Sequence, residues 1–204
     1  MKLKFCGFKT RMDIEKALTC EIDYIGLIFA KSKRQVDKEL AKEMIAGLDF
    51  GEVQLVGVFM DQSLDEVIEI ADFVGLDIIQ LHGAESDEYL SELRSRFKGT
   101  VWKAIPGSET QLANFNEIPA DLVLIDSTKG GGSGEVADWK LIEKYQDSFN
   151  KPYFLAGGLG LGNVEVAMNV LCPTGLDISS GIEADGVKSL ELMNKICRMV
   201  KKNG

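Results

Sequence analysis

One histidine is all that this chain of 204 residues carries, and its four cysteines contain no C-x-x-C pair. A structural zinc site needs Cys and His clustered at ligand spacing, and the sequence offers no such set. No apolar run approaches the roughly 18 residues of a membrane span. Met1 is followed by a charged, strand-like segment where a secretory signal would need an apolar stretch. These absences predict a cytoplasmic protein, in which reducing conditions disfavour disulfides. Positive charge is also short: 23 Lys and Arg against 32 Asp and Glu give a net charge of −9. That balance argues against nucleic acid or an anionic membrane as partner of the surface as a whole, and it still allows a local positive pocket for an anionic small molecule. No G-x-G-x-x-G follows the first strand pattern, which weakens a dinucleotide-binding reading. There is no linker or low-complexity tract, so residues 1–204 are expected to form one domain. Monomer and homodimer are both left open.

What the chain does have is alternation. Strand-like runs are LKFC from Leu3, DYIGLIF from Asp23, VQLVGVF from Val53, LDIIQLH from Leu76, TVWKAI from Thr100, DLVLID from Asp121, PYFLAGG from Pro152 and GLDISSG from Gly175. They are short, rich in Val, Ile, Leu and Phe, and bounded by Gly, Asp or Ser. Amphipathic patterns lie between them. Val67, Ile70, Ala71 and Val74 recur at helical spacing, and Leu40–Leu48 and Glu183–Val200 read the same way. Ser63 and Ser86 stand where helix N-caps belong. Eight strands alternating with helices predict an α/β fold of the (β/α)8 barrel type with short loops. A doubly wound sheet shows the same alternation and stays open at this point.

In a barrel, chemistry sits where strands end. Cys6 and Gly7 end the first strand, AKSKR follows the second, and Gln80, His82 and Gly83 end the fourth. Asp126 ends the sixth and opens the glycine-rich segment Gly130–Gly134. Gly157 and Gly158 follow the seventh strand; Ser179, Ser180 and Gly181 follow the eighth. Glycines allow close backbone approach to a ligand, and the loops after strands seven and eight are where barrels commonly hold phosphate. Either turn alone would read as a plain strand-to-helix connection; two adjacent ones favour a phosphate site. Of the other thiols, Cys20 and Cys197 fall in helix-like patterns as buried, inert groups, and Cys172 before Pro173 carries no signal.

KFCGFK, GLIFAKSKR, VGVF, IIQLHG, DSTKGGGSG, LAGGL and DISSGIE occur in this order at the strand ends. Together, over essentially the whole chain, they resemble the phosphoribosylanthranilate isomerase family. The resemblance implies a single-domain (β/α)8 barrel that needs no cofactor and no metal. It implies an Amadori rearrangement of N-(5-phosphoribosyl)anthranilate in tryptophan biosynthesis, with Cys6 as general base and Asp126 as general acid. Gln80 and His82 then line the pocket, and Arg34 is the candidate for the anthranilate carboxylate, since a guanidinium fork fits a carboxylate. Two positions depart from the family pattern: Phe5 replaces a smaller aliphatic residue and Ala137 replaces Phe. Both read as packing changes, the second near a loop over the substrate.

The chemistry is consistent with that pairing. A thiol ionises near pH ~8.5, so nearby Lys or Arg that stabilised the thiolate would make Cys6 a usable base. Asp126 must hold a proton to act as an acid. Each residue also has a plainer reading. Cys6 could be core packing, Asp126 a helix cap, His82 a structural histidine and KSKR a solvated loop. A barrel that binds a phosphorylated metabolite without turning it over, and a different sugar-phosphate isomerase, are the competing functions. Gly130–Gly134 reads as a segment that folds over the substrate.

Overall fold

The structure is a computed structural model that describes residues 1–126 and 139–202. Gly130–Gly134 and Ala137 lie outside the described residues. Eight parallel strands close into a barrel in chain order: β1 (Lys2–Cys6), β2 (Tyr24–Ile28), β3 (Gln54–Phe59), β4 (Ile78–Leu81), β5 (Thr100–Pro106), β6 (Leu122–Asp126), β7 (Tyr153–Leu155) and β8 (Gly175–Ile178). β8 pairs back onto β1, Lys4 opposite Asp177, and the doubly wound alternative is thereby removed. The helices are α1 (Arg11–Leu18), α2 (Lys38–Ile45), α3 (Leu64–Val74), α4 (Asp87–Arg96), α5 (Glu109–Ala113), α6 (Trp139–Gln146), α7 (Val164–Leu171) and α8 (Leu190–Lys202).

The strands are mostly apolar because both faces are covered, and their buried polar residues gather where the site is built. Outward side chains pack under the helices; inward ones fill the barrel. Tyr24, Trp102 and Phe154 form its floor, with ring centroids 5.0 Å (Tyr24–Trp102) and 5.1 Å (Trp102–Phe154) apart. Gly175 makes room for them, since a Cβ there would lie 2.3 Å from the Phe154 ring. Phe5 is fully buried, as a packing change requires.

Ser63 and Ser86 cap α3 and α4, accepting from Glu66 N and Tyr89 N. Val67, Ile70, Ala71 and Val74 are the buried face of α3. The pattern expected as a helix over Leu40–Leu48 is displaced, because Asp37 caps α2 three residues earlier. The pattern from Glu183 to Val200 is corrected more substantially. Its first part is a two-stranded hairpin, β9 (Glu183–Ala184) and β10 (Val187–Lys188), and α8 starts only at Leu190. Asp185 and Gly186 both have positive φ (52° and 78°), the conformation an Asp-Gly hairpin turn demands, and this local signal overrides the helical spacing. Cys197 is buried in α8. Cys20 lies past the end of α1, half-buried beside Cys197, and its thiol points at the Asn194 side chain, 3.6 Å away.

Candidate active site

Side chains alternate along a strand, so residues two apart share a face. Counting inward positions from the barrel floor leads to the mouth: Lys4 and Cys6 on β1, Ile78, Gln80 and then His82 on β4, Leu122, Leu124 and Asp126 on β6, Gly175, Asp177 and then Ser179 on β8. One cavity at the C-terminal ends of the strands is lined by Cys6, Gln80, His82, Asp126, Asp177 and Ser179, with Arg34, Gly157, Gly158 and Ser180 around its rim. Nine of the ten site residues named from the sequence therefore meet in one place. Gly181 is the exception.

Cys6 is buried against charge of both signs. Lys4, which is fully enclosed in the barrel, places Nζ 2.8 Å from Asp177 Oδ2. A Cβ on Gly26 would sit 2.5 Å from Cys6 Sγ and 3.1 Å from Lys4 Nζ, so thiol and ammonium share the space this glycine leaves. The expected positive charge is thus present, from Lys4 and, further off, Lys188. The expected outcome is not: burial pushes the Cys6 thiol up and outweighs the pull of Lys4, with the Asp177 carboxylate adding to the rise. Desolvation of the thiolate decides the sign.

Gly7, beside the thiol, has a φ of +82° and carries the Arg34 side chain against it; a Cβ would lie 2.5 Å from Arg34 Cδ. Arg34 is 7% exposed, not a solvated loop residue. Its Nε and Nη2 donate to the two carboxylate oxygens of Glu183, both at 2.7 Å. That pair holds the Glu183 carboxyl well below its usual range, at about 2, even though burial acts the other way. Lys188, on β10, donates to Glu183 Oε1 at 2.9 Å, to the Cys6 carbonyl at 2.6 Å and to the Ser179 carbonyl at 3.0 Å.

Asp126 is 7% exposed. His82 Nε2 lies 3.1 Å from its Oδ2, and Gln80 Nε2 lies 3.4 Å from His82 Nδ1. The loop that carries His82 is fixed from outside the barrel. Lys103 Nζ donates to the Gly83 carbonyl and to Glu85, which in turn accepts from the Gly83 and Asp61 amides.

Gly157 and Gly158 have φ of 88° and 66°, so the turn after β7 needs residues without a Cβ. Asn163 ties this turn down, donating to the Gly158 carbonyl and accepting from Gly160 N, both at 2.9 Å. Gly181 sits behind Ser180 and does not line the cavity. A Cβ on it would lie 2.0 Å from the Leu159 carbonyl oxygen and 2.8 Å from Gly160 Cα. Its missing side chain serves the packing of the β7 loop on the β8 loop.

Sequence reasoning missed Lys4, Asp177, Glu183, Lys188, Asn163 and Lys103. Lys4 and Asp177 were within reach of strand alternation, two residues before Cys6 and Ser179. Glu183 and Lys188 depended on recognising the Asp-Gly hairpin. Among the described residues no group of three or more His, Cys, Asp or Glu is arranged to hold a metal ion, and no helix is long and apolar enough to cross a membrane.

The family model described as N-(5'phosphoribosyl)anthranilate (PRA) isomerase matches residues 3–199. An N-(5'-phosphoribosyl)anthranilate isomerase of Clostridium acetobutylicum is 39% identical over 208 residues, covering 99% of this chain and 98% of that protein. The crystal structure of phosphoribosyl anthranilate isomerase from Thermus thermophilus superimposes with a TM-score of 0.89 at 29% identity, over the whole of both chains. A phosphoribosyl anthranilate isomerase in complex with reduced 1-(o-carboxyphenylamino)-1-deoxyribulose 5-phosphate superimposes with a TM-score of 0.85 at 31% identity, over 99% of both chains. With its closed barrel, its pocket and these relatives agreeing along the full length, the chain belongs to the N-(5'-phosphoribosyl)anthranilate isomerase family.

Proposed function

We propose that this protein isomerises N-(5-phosphoribosyl)anthranilate to 1-(2-carboxyphenylamino)-1-deoxyribulose 5-phosphate in tryptophan biosynthesis, acting in the cytoplasm. The observation that supports it most is one cavity lined by a thiol on β1 and a carboxyl on β6, with the glycine turns after β7 and β8 between them. In this reading the phosphate rests on the turns at Gly157, Gly158, Ser179 and Ser180. The ribose lies between Cys6 and Asp126, and the anthranilate carboxylate reaches Arg34.

The chemistry then divides between two side chains. Asp126 gives its proton to the ribose ring oxygen, the C1–O bond breaks, and the nitrogen lone pair forms an iminium to C1. The Cys6 thiolate takes the proton from C2, those electrons form the C1–C2 double bond of an enolamine, and the C1–N π pair returns to nitrogen. The enolamine gains a proton at C1 and loses one from the C2 hydroxyl, giving the ketone. Proton transfers account for every step, so the reaction calls for no redox partner.

Phosphoribosylanthranilate is fluorescent, and its consumption by the purified protein can be followed directly. Enzyme-dependent loss of fluorescence with formation of the ketose phosphate is the expected result. Tight binding of the substrate without turnover would favour the binding-only barrel and overturn the reading.

A further inference from the structure

The family resemblance gives no role to the hairpin after β8, yet two of its charged residues, Glu183 and Lys188, reach the candidate carboxylate binder and the backbone of the candidate base. Arg34 has five N–H donors. Two of them, on Nε and Nη2, point at Glu183 in a side-on fork at 2.7 Å each. Of the remaining three, one on Nη1 and the outer one on Nη2 form the end-on edge. A guanidinium held on one edge cannot rotate, so the direction of the other edge is set. Glu183 is itself held, because Lys188 Nζ donates to its Oε1 while anchored on the carbonyls of Cys6 and Ser179. Gly7 completes the mount: its lack of a Cβ lets the Arg34 stem lie flat on β1. The cluster carries one unit of net positive charge, two cations against one carboxylate, at the rim of a protein whose net charge is −9.

We propose that Glu183 is a positioning and specificity-determining residue that presents the end-on edge of Arg34 to the carboxylate of the substrate's aromatic amine. The inference rests on the isomerase reading and on Arg34 meeting that carboxylate. Glu183 touches no reacting atom. It acts by removing the rotational freedom of Arg34 and by keeping the cluster at a single positive charge, so one carboxylate neutralises it.

The test compares two substrates, N-(5-phosphoribosyl)anthranilate and the corresponding N-(5-phosphoribosyl)aniline, which lacks the carboxylate. Glu183→Gln keeps the size and removes one acceptor. It is expected to raise KM for the anthranilate substrate about tenfold, the worth of one charge-assisted hydrogen bond, with kcat within about threefold. KM for the aniline substrate is expected to stay at the wild-type value. A merely structural role would move both substrates together. Because Glu183→Gln leaves two buried cations facing an amide, Glu183→Asp serves as the charge-conserving second variant. Its side chain, one methylene shorter, is expected to raise KM several-fold for the anthranilate substrate alone. A wild-type KM in whichever variant folds, or an equal rise with both substrates, overturns the inference. The two readings beneath it are separable. Absence of wild-type turnover removes the isomerase reading and this inference with it, and unchanged preference for the carboxylate substrate in Arg34→Ala removes the role of Arg34.

Discussion

His82 and Asp126 face one another across the mouth of the barrel, imidazole Nε2 to carboxylate Oδ2, at 3.1 Å. The Gln80 amide lies on the other ring nitrogen, Nδ1, at 3.4 Å, so the imidazole is held between the amide and the Asp126 carboxyl group. The chain's lone histidine is therefore the orienting neighbour of the candidate acid. Lys103 and Glu85 keep it there by fixing the backbone of the loop that bears it.

Asp126→Asn keeps this geometry and cannot deliver a proton. Turnover is expected to fall by about 10² or more, while affinity for a product analogue stays near wild type. The rate that remains depends on Cys6 alone. It is expected to climb with pH through the raised thiol pKa, with no fall on the alkaline side. Steady-state rates from pH 6 to 10 check this, and wild-type turnover in the variant would remove Asp126 from the mechanism.

Cys6→Ser is expected to lower kcat by about 10² to 10⁴ with little change in KM, because an alcohol is a far poorer base. The thiol itself can be titrated by its rate of alkylation in a Cys20→Ala, Cys172→Ala, Cys197→Ala background. Burial raises its pKa, so reactivity in the free protein is expected to rise only above pH ~8.5, the ordinary thiol range. A midpoint below that value would mean that Lys4 wins over desolvation.

Lys4 and Asp177 are a buried ion pair under the site, with side chains 0% and 9% exposed. Lys4→Met strands the carboxylate beneath the pocket. The expected loss of stability is about 3–5 kcal/mol, read from urea denaturation. Lys4→Met with Asp177→Leu removes both charges and is expected to recover most of that loss without recovering activity. If the double variant is no more stable than Lys4→Met, the two residues are not coupled.

Two glycines of the turns after β7 and β8, one on the cavity and one behind it, should behave differently. Gly158→Val places a side chain on the cavity wall at a φ of 66°. It is expected to weaken both substrate binding and inhibition by inorganic phosphate. Gly181→Ala drives a Cβ against the Leu159 carbonyl and is expected to lower the melting temperature, with a cost of about 1–3 kcal/mol. If Gly181→Ala melts like the wild type, the close packing is not a constraint.

The order and type of all eight strands could be read from the sequence, because each is a short apolar run bounded by turn residues and no long-range choice competes with it. The barrel-mouth residues could be read for the same reason: period two carries Ile78 to Gln80 and His82, and Leu124 to Asp126. What escaped depended on distance in the chain. Glu183 is 149 residues from Arg34, and nothing local to KSKR or to EADGVK announces that they meet. The thiol's direction of shift escaped too, since it is a balance between desolvation and two ammonium groups whose distances only the fold supplies.

The contact of Gly181 with Leu159 and Gly160 makes the turns after β7 and β8 a single packed unit. A β8 turn brought in from another barrel with an ordinary residue at position 181 would drive its side chain into the backbone of the β7 turn. Moving the proposed phosphate site to another scaffold therefore calls for both turns together, with Asn163 to hold the first in shape.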